Sequence, residues 1–314
     1  MSTQSLARKR FSLFIFLLAA AVTCRVKERW QSYTLFFFDT VCDVEILCQA
    51  AQIRATQEEI SRVFTTVEEQ FSPGRQDLSS PLVLELFQQS RQVYLNTGGY
   101  FDITVGPLVE LWGFSSRAYH VPRPEDIKAV LPLVGMEKIR LGASGLVLQS
   151  GMKLDWGGIA IGWAVDRAVK ALRDRGISRG FINVGGDLYC WGSNPDNKDW
   201  RVGIQHPRQK GYLGVLSVSN TGVATSGDYQ KYFERNGIRY CHIFNPTTGY
   251  PATERQSVTV IGPLTMLCDA LSTALFISPE PEAILKRYPE YGAIFVNSRG
   301  EVATMGKSPG LRSF

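Results

Sequence analysis

The segment Leu154-Asp155-Trp156-Gly157-Gly158-Ile159-Ala160-Ile161-Gly162-Trp163-Ala164-Val165-Asp166 constrains the fold more than any other. It reads as a short extended piece that passes through two glycines into an amphipathic helix. Ile159, Trp163, Val169 and Leu172 recur at helical spacing, with small Ala160, Ala164 and Ala168 between them. Gly176 is placed to close that helix as its C-terminal cap. A strand, a glycine turn and a helix N-terminus together let backbone approach a ligand closely and aim unpaired N–H groups at an anion. Tight strand–helix packing explains the same glycines, so this stretch alone leaves both readings open.

The rest of the chain alternates strands and helices without regular βαβ order. Tyr33 to Ile46 reads as a strand with hairpin potential, and Thr56 to Phe71 as an amphipathic helix opened by a Thr56–Glu59 capping box. Further helices are expected from Pro81 to Gly98-Gly99, over Pro124–Leu131, over Leu264–Phe276 and over Pro279–Tyr288. Between Gly99 and Phe114 the chain is aromatic, glycine-rich and weakly periodic, which reads as a binding loop rather than core. Hairpin signals flank Gly142-Ala143-Ser144-Gly145 and Asn297 to Gly300. Gly180–Val184, Leu188–Trp191, Trp200–Ile204, Gly214–Val218, Gly222–Thr225, Tyr240–Phe244 and Ser257–Ile261 read as strands. Such a mixture predicts an α+β fold with mixed or antiparallel sheets and packed helices, not a doubly wound one.

Residues 1–23 form a leader: basic Arg8-Lys9-Arg10, an apolar run from Phe11 to Val22, then small residues up to Cys24. The run is too short for a stable span, and the pattern predicts export, with Cys24 as the acylated N-terminus of a lipoprotein on the periplasmic face of a membrane. Cleavage by an ordinary signal peptidase, or retention as an anchor, fits the same residues. Residues 24–314 form the folded domain. Arg8, Lys9 and Arg10 supply three of the five net positive charges, so the body is nearly neutral and carries no electrostatic footprint for nucleic acid. Of the cysteines, Cys42 and Cys48 are candidates for a disulfide, although buried thiols explain them equally.

Three places offer chemistry. Asp269 and Thr273, four apart in the Leu264–Phe276 helix, share a face. A carboxylate and a hydroxyl suit Mg²⁺, which keeps waters and takes phosphate oxygens. An acid bonded to a neighbouring loop is the simpler alternative. His242, one of three histidines, stands at a strand end before a Pro/Thr/Gly turn, a placement suited to a base for a hydroxyl nucleophile or to a structural hydrogen bond. Ala224-Thr225-Ser226-Gly227-Asp228-Tyr229 reads as a tight loop offering hydroxyls and N–H groups to phosphate, or as a plain turn.

These pieces occur in one order with Gly99 to Leu108, Asn183-Val184-Gly185-Gly186-Asp187, and His242-Ile243 followed by Pro246 and Thr248-Gly249. That succession, over roughly residues 33 to 305, resembles the ApbE family of FAD:protein FMN transferases, formerly called thiamine-biosynthesis lipoproteins. The resemblance implies an ApbE-like (T-fold-like) architecture. It also implies a Mg²⁺-dependent, exported enzyme that splits FAD, esterifies FMN onto a Thr or Ser hydroxyl of an acceptor protein (a redox or electron-transfer subunit), and releases AMP. By position, the Ala160 carbonyl, Asp269 and Thr273 would bind Mg²⁺. Tyr100, Phe101, Asp102, Asp155, Gly158, Ser226 and Ile243 would line the FAD site, and His242 would be the general base. The chain departs from the family pattern at Ile161, where a lysine is usual, at Asn245, where an aspartate is usual, at Phe38-Asp39-Thr40, and in a shortened segment near Pro73-Gly74-Arg75. Two other activities use the same cavity: metal-dependent hydrolysis of FAD to FMN and AMP, and flavin binding without catalysis in the periplasm.

Overall fold

The first pair of strands follows from strict alternation. In the computed structural model, which describes residues 27–72, 76–307, 310, 312 and 313, β1 (Glu28–Phe37) and β2 (Thr40–Gln49) form an antiparallel hairpin. Its turn residues Phe38 and Asp39 both take left-handed φ, 54° and 56°, the two-residue geometry that matches strand twist. Cys42, Val44, Ile46 and Cys48 point inward from β2 and are buried. The leader, Cys24 and the Pro73-Gly74-Arg75 segment lie outside the described residues.

There follow α1 (Ile53–Phe71), α2 (Pro81–Asn96), α3 (Gly106–Leu111), α4 (Pro124–Val130) and a small hairpin, β3 (Arg140–Gly142) with β4 (Gly145–Val147). Next come α5 (Ala160–Asp174), β5 (Gly180–Val184), β6 (Asp187–Trp191), β7 (Trp200–Gln205), β8 (Tyr212–Val218) and β9 (Thr221–Gly227). The C-terminal part holds β10 (Tyr232–Arg235), β11 (Ile238–Cys241), β12 (Arg255–Gly262), α6 (Thr265–Ile277), α7 (Pro281–Leu285), β13 (Gly292–Asn297), β14 (Val302–Gly306) and β15 (Arg312–Ser313).

Eight strands build one antiparallel sheet in the order β1-β2-β5-β6-β9-β12-β13-β14. Its two faces are read from side-chain alternation. On one face Ile46, Ile182, Tyr189 and Trp191 pack with α1, α2 and α5, and Ala224, Val258, Val260 and Phe295 pack with α6. From the other face Leu188, Cys190, Val223, Ile261 and Ile294 meet Trp200, Val202, Ile204 and Leu216 of the β15-β8-β7 sheet. The result is an α+β molecule of three layers: helices, large sheet, small sheet.

Several sequence expectations need correction. Thr56 does not open α1. The helix begins at Ile53, and the Thr56 hydroxyl donates back to the Ile53 carbonyl at 2.7 Å. Glu59 instead pairs with Arg62 and with Arg175. Cys42 and Cys48 are free and buried. They sit six residues apart on one extended strand, which separates them by about 20 Å, far beyond disulfide reach. The Phe101–Thr104 stretch is core rather than an open loop, with all four residues buried. Ala224 to Gly227 belongs to β9 and pairs with β12 rather than forming a tight loop. The helix expected over Pro279–Tyr288 is confined to Pro281–Leu285, and the strand expected to reach Phe244 ends at Cys241. Gly176 caps α5 as expected: its N–H donates to the Arg173 carbonyl, and that of Ile177 to Leu172.

Candidate functional site

The site is organised where α5 and α6 begin side by side. Asp166 of α5 accepts the N–H groups of Thr265 and Met266, both at 2.9 Å, and so caps α6 from outside. A Cβ at Gly162 would lie 2.6 Å from the Thr265 carbonyl oxygen; the absence of a side chain there is what lets the helices approach. That approach puts the Gly162 N–H 3.4 Å from an Asp269 carboxylate oxygen. Asp269 lies within an almost wholly buried α6 and is itself 7% exposed.

One turn along, Thr273 joins a group of hydroxyls. Ser226 Oγ of β9 lies 2.8 Å from Ser272 Oγ and 3.2 Å from Thr273 Oγ1. The glycine turn covers this group: a Cβ at Gly158 would stand 3.0 Å from Thr273 Oγ1 and 3.5 Å from the Phe101 ring. Thus Gly158, Phe101, Ser226 and Thr273 are brought together, with Asp269 a helical turn away. Ala160 opens α5, and its carbonyl oxygen has a second lone pair beyond the one that a helix uses.

Asp155 and Asp102 brace the turn. The Asp155 N–H donates to the Ile103 carbonyl at 2.7 Å, and its carboxylate accepts the Gly157 N–H at 2.8 Å. Asp102 is buried, and its oxygens accept the Thr104 N–H and hydroxyl and the Met136 N–H. Burial pushes its pKa up to about 6 against the lowering effect of those bonds. With both oxygens engaged, Asp102 holds the loop in shape and has little left to offer a ligand. Tyr100 packs between the α5-side core and the α6-side core, where it meets the cluster containing Ile243.

His242 stands one residue past β11. Its N–H donates to the Lys231 carbonyl at 3.1 Å, and Nδ1 lies 3.2 Å from the same oxygen. A carbonyl only accepts, so Nδ1 carries the proton and Nε2 is left with a free lone pair. Burial, then the Lys231 charge, push the imidazole pKa down to about 4, with Asp155 pulling it upward. The imidazole is therefore neutral at ordinary pH. Asn245 follows in an Asx turn, accepting the N–H groups of Thr247 and Thr248.

Two acids escaped the sequence reading. Asp187, at the head of β6, and Asp166 add their negative charge to burial in pushing the Asp269 carboxyl well above the carboxylate range. Asp187 is itself raised by burial and by Asp166. An acid between Gly185-Gly186 and the apolar run Leu188-Tyr189-Cys190-Trp191 was the available signal. Among the described residues no three His, Cys, Asp or Glu side chains converge as a ready-made metal centre. The oxygens present nevertheless fit a hard divalent cation. A buried carboxylate with one long amide contact and no cationic neighbour among the described residues is costly as it stands. The Thr273 hydroxyl and the Ala160 carbonyl are also oxygen donors, and Mg²⁺ completes such a set with water and phosphate.

Comparison with known proteins identifies the family and the fold. The ApbE family model matches residues 38–295. The FAD:protein FMN transferase of Vibrio cholerae is 35% identical over 251 residues, 73% of this chain and 75% of that protein. That of Treponema pallidum is 28% identical over 327 residues, covering 91% and 90%. The flavinyl transferase ApbE of Pseudomonas stutzeri superposes with a TM-score of 0.79 at 28% identity, covering 90% of this chain and 96% of that one. The ApbE protein of Thermotoga maritima gives 0.80 at 28% identity, covering 88% and 96%. With a match running from the β1–β2 turn to β13, this chain belongs to the ApbE family.

Proposed function

We propose that this protein transfers FMN from FAD to a Thr or Ser hydroxyl of an acceptor protein, with Mg²⁺ as cofactor and AMP as the leaving product. The observation that carries the reading is Asp269: a buried carboxylate with no cationic side chain beside it among the described residues, one helical turn from Thr273, which itself lies against Gly158. Bound there, Mg²⁺ would neutralise the pyrophosphate of FAD and stabilise the charge that develops on it.

The chain's own groups account for the remainder. Asp269, Thr273 and the Ala160 carbonyl would hold the cation. Gly158 leaves room for the dinucleotide beside Thr273, and Tyr100, Phe101 and Ile243 supply apolar surface for the flavin end. Asp155 fixes the glycine turn and faces His242. The acceptor oxygen forms a bond to the FMN phosphorus, the pyrophosphate P–O bond breaks, its electron pair leaves with AMP, and the acceptor proton passes to His242 Nε2. A base already neutral at ordinary pH is ready to receive it.

Purified protein incubated with FAD, Mg²⁺ and a membrane extract of the source cells tests this directly. The expected result is a covalently fluorescent protein band that survives denaturation. Free FMN without a labelled band would make the enzyme a hydrolase, and intact bound FAD would make it a carrier. The leader and Cys24 extend the proposal to an exported enzyme tethered by lipid outside the membrane, with an acceptor on the same side. No described helix is long and apolar enough to cross a membrane.

A further inference from the structure

The start of α6 carries no cap of its own. Leu264 stands at the N-cap position without a side-chain acceptor, and the first turn holds no acid. The Thr265 and Met266 N–H groups are taken instead by Asp166 of α5, one on each carboxylate oxygen. For capping alone this is a roundabout solution. A Ser, Asp or Asn in place of Leu264 would satisfy the same helix end locally. The position suits one, since Leu264 is 44% exposed and its backbone is extended.

What a cap borrowed from a neighbouring helix adds is a link. Asp166 lies one turn beyond Gly162, and Asp269 one turn beyond Thr265. The two helices are thus tied at two levels: Asp166 to the first N–H groups of α6, and the Gly162 N–H to the Asp269 carboxylate. The levels are unequal. The Gly162 contact is 3.4 Å long, whereas both Asp166 bonds are 2.9 Å and charge-assisted. Close packing at Gly162 limits how near the helices come. The directed bonds to Asp166 stop one helix from sliding past the other. On its sheet side α6 is held separately, by Thr265 Oγ1 donating to the Leu188 carbonyl at 3.2 Å and by Cys268 Sγ at 3.3 Å from the Gly222 carbonyl. Those bonds seat α6 on the sheet, and Asp166 seats α5 against α6.

We infer that Asp166 is the positioning residue of the cation site: by tying α5 to the start of α6 it sets the gap between the Ala160 carbonyl and the Asp269–Thr273 pair. The inference rests on the cation reading above and adds the residue that keeps its donors in register. Ala160 opens α5, whereas Asp269 and Thr273 belong to α6, so no single helix fixes the donor set. Mg²⁺ takes its oxygens at about 2.0–2.1 Å in near-octahedral array, which tolerates little slip between the helices that supply them. Asp166 is not itself a ligand in this account, because both its oxygens are engaged by main-chain N–H groups.

The test moves the cap without removing it. Asp166→Asn breaks the link. Asp166→Asn combined with Leu264→Asp returns a carboxylate to the same helix end from within α6, restoring cap and charge but not the tie to α5, and it keeps the question answerable should Asp166→Asn alone fail to fold. Mn²⁺ binding to the FAD-loaded protein, freed of excess FAD, is read from the EPR signal of the free ion. Urea unfolding without metal gives the stability. Both variants are expected to bind Mn²⁺ about 10–100-fold more weakly than the parent, while the double variant regains most of the stability that Asp166→Asn loses. Affinity unchanged in Asp166→Asn, or restored with stability in the double variant, would reduce Asp166 to a cap or a nearby charge. Either result overturns the inference and leaves the cation reading intact. A parent protein that binds no Mn²⁺ would remove both.

Discussion

The two halves of the site are built by opposite means. Asp269 and Thr273 project from a helix buried along almost its whole length, beside a glycine contact that leaves no slack. His242 hangs from a short, separate hairpin by two contacts to one carbonyl oxygen. The first half is fixed by core packing, where geometry is held by many neighbours at once. The second is fixed by local hydrogen bonds at the surface, where a partner chain can reach it. The difference teaches that the phosphate end needs rigidity and the acceptor end needs access, and that mutations in the two halves should fail differently.

The largest expected effect is at the buried carboxylate. Asp269→Ala should lower Mg²⁺-dependent FMN transfer by roughly 10³-fold or more while the protein stays folded, because it removes a ligand and a desolvated charge together. Mg²⁺ titration of the transfer rate, with circular dichroism for the fold, checks this. An unchanged titration would take Asp269 out of the site. His242→Ala should slow transfer by about 10²–10³-fold and alter FAD affinity by less than about 3-fold. Fluorescence titration beside single-turnover kinetics distinguishes these, and equal losses in binding and rate would make the imidazole structural.

Gly162→Ala probes the packing half without touching a functional group. Its Cβ would meet the Thr265 carbonyl at 2.6 Å, so urea unfolding should show a loss of about 1–3 kcal/mol. A neutral result would mean that the α5–α6 approach is looser than described. The smallest effect concerns pH. With its pKa pushed down to about 4, His242 stays a competent base until pH falls through that value. The acid limb of the transfer rate should therefore sit well below the usual 6.5 for histidine. The same shift has a stability sign. Between about pH 6.5 and 4 the unfolded chain binds a proton that the folded chain refuses, so this contribution to stability declines as pH drops across that window. Asp155→Asn removes an upward pull and should move the limb lower still. A limb near 6.5 in the parent enzyme would contradict that downward shift.

How much of this was legible in the sequence follows the same division. Helix periodicity placed Asp269 and Thr273 on one face, and the Gly176 cap ended α5 where expected, because these are local regularities. The β1–β2 hairpin was legible for the same reason. The Thr56–Glu59 capping box misled, since a Thr that bonds back to Ile53 inside a helix matches the same letters. Thr225-Ser226-Gly227-Asp228 has turn composition, yet pairing of Ser226 with Val258 of β12 overrides it. The glycine-flanked acid at Asp187 stands out along the chain, but its effect on Asp269, and that of Asp166, arise from three-dimensional proximity that no spacing encodes. The Nδ1 partner of His242 is a main-chain carbonyl, which is invisible in a string of side chains.

The most direct test of the central claim is the position of the cation. Crystals soaked with FAD and Mn²⁺, as an anomalous stand-in for Mg²⁺, should give one peak within about 2.5 Å of both an Asp269 carboxylate oxygen and Thr273 Oγ1, touching the pyrophosphate. A peak elsewhere, or FAD bound with those two oxygens turned away from its phosphates, would contradict the account.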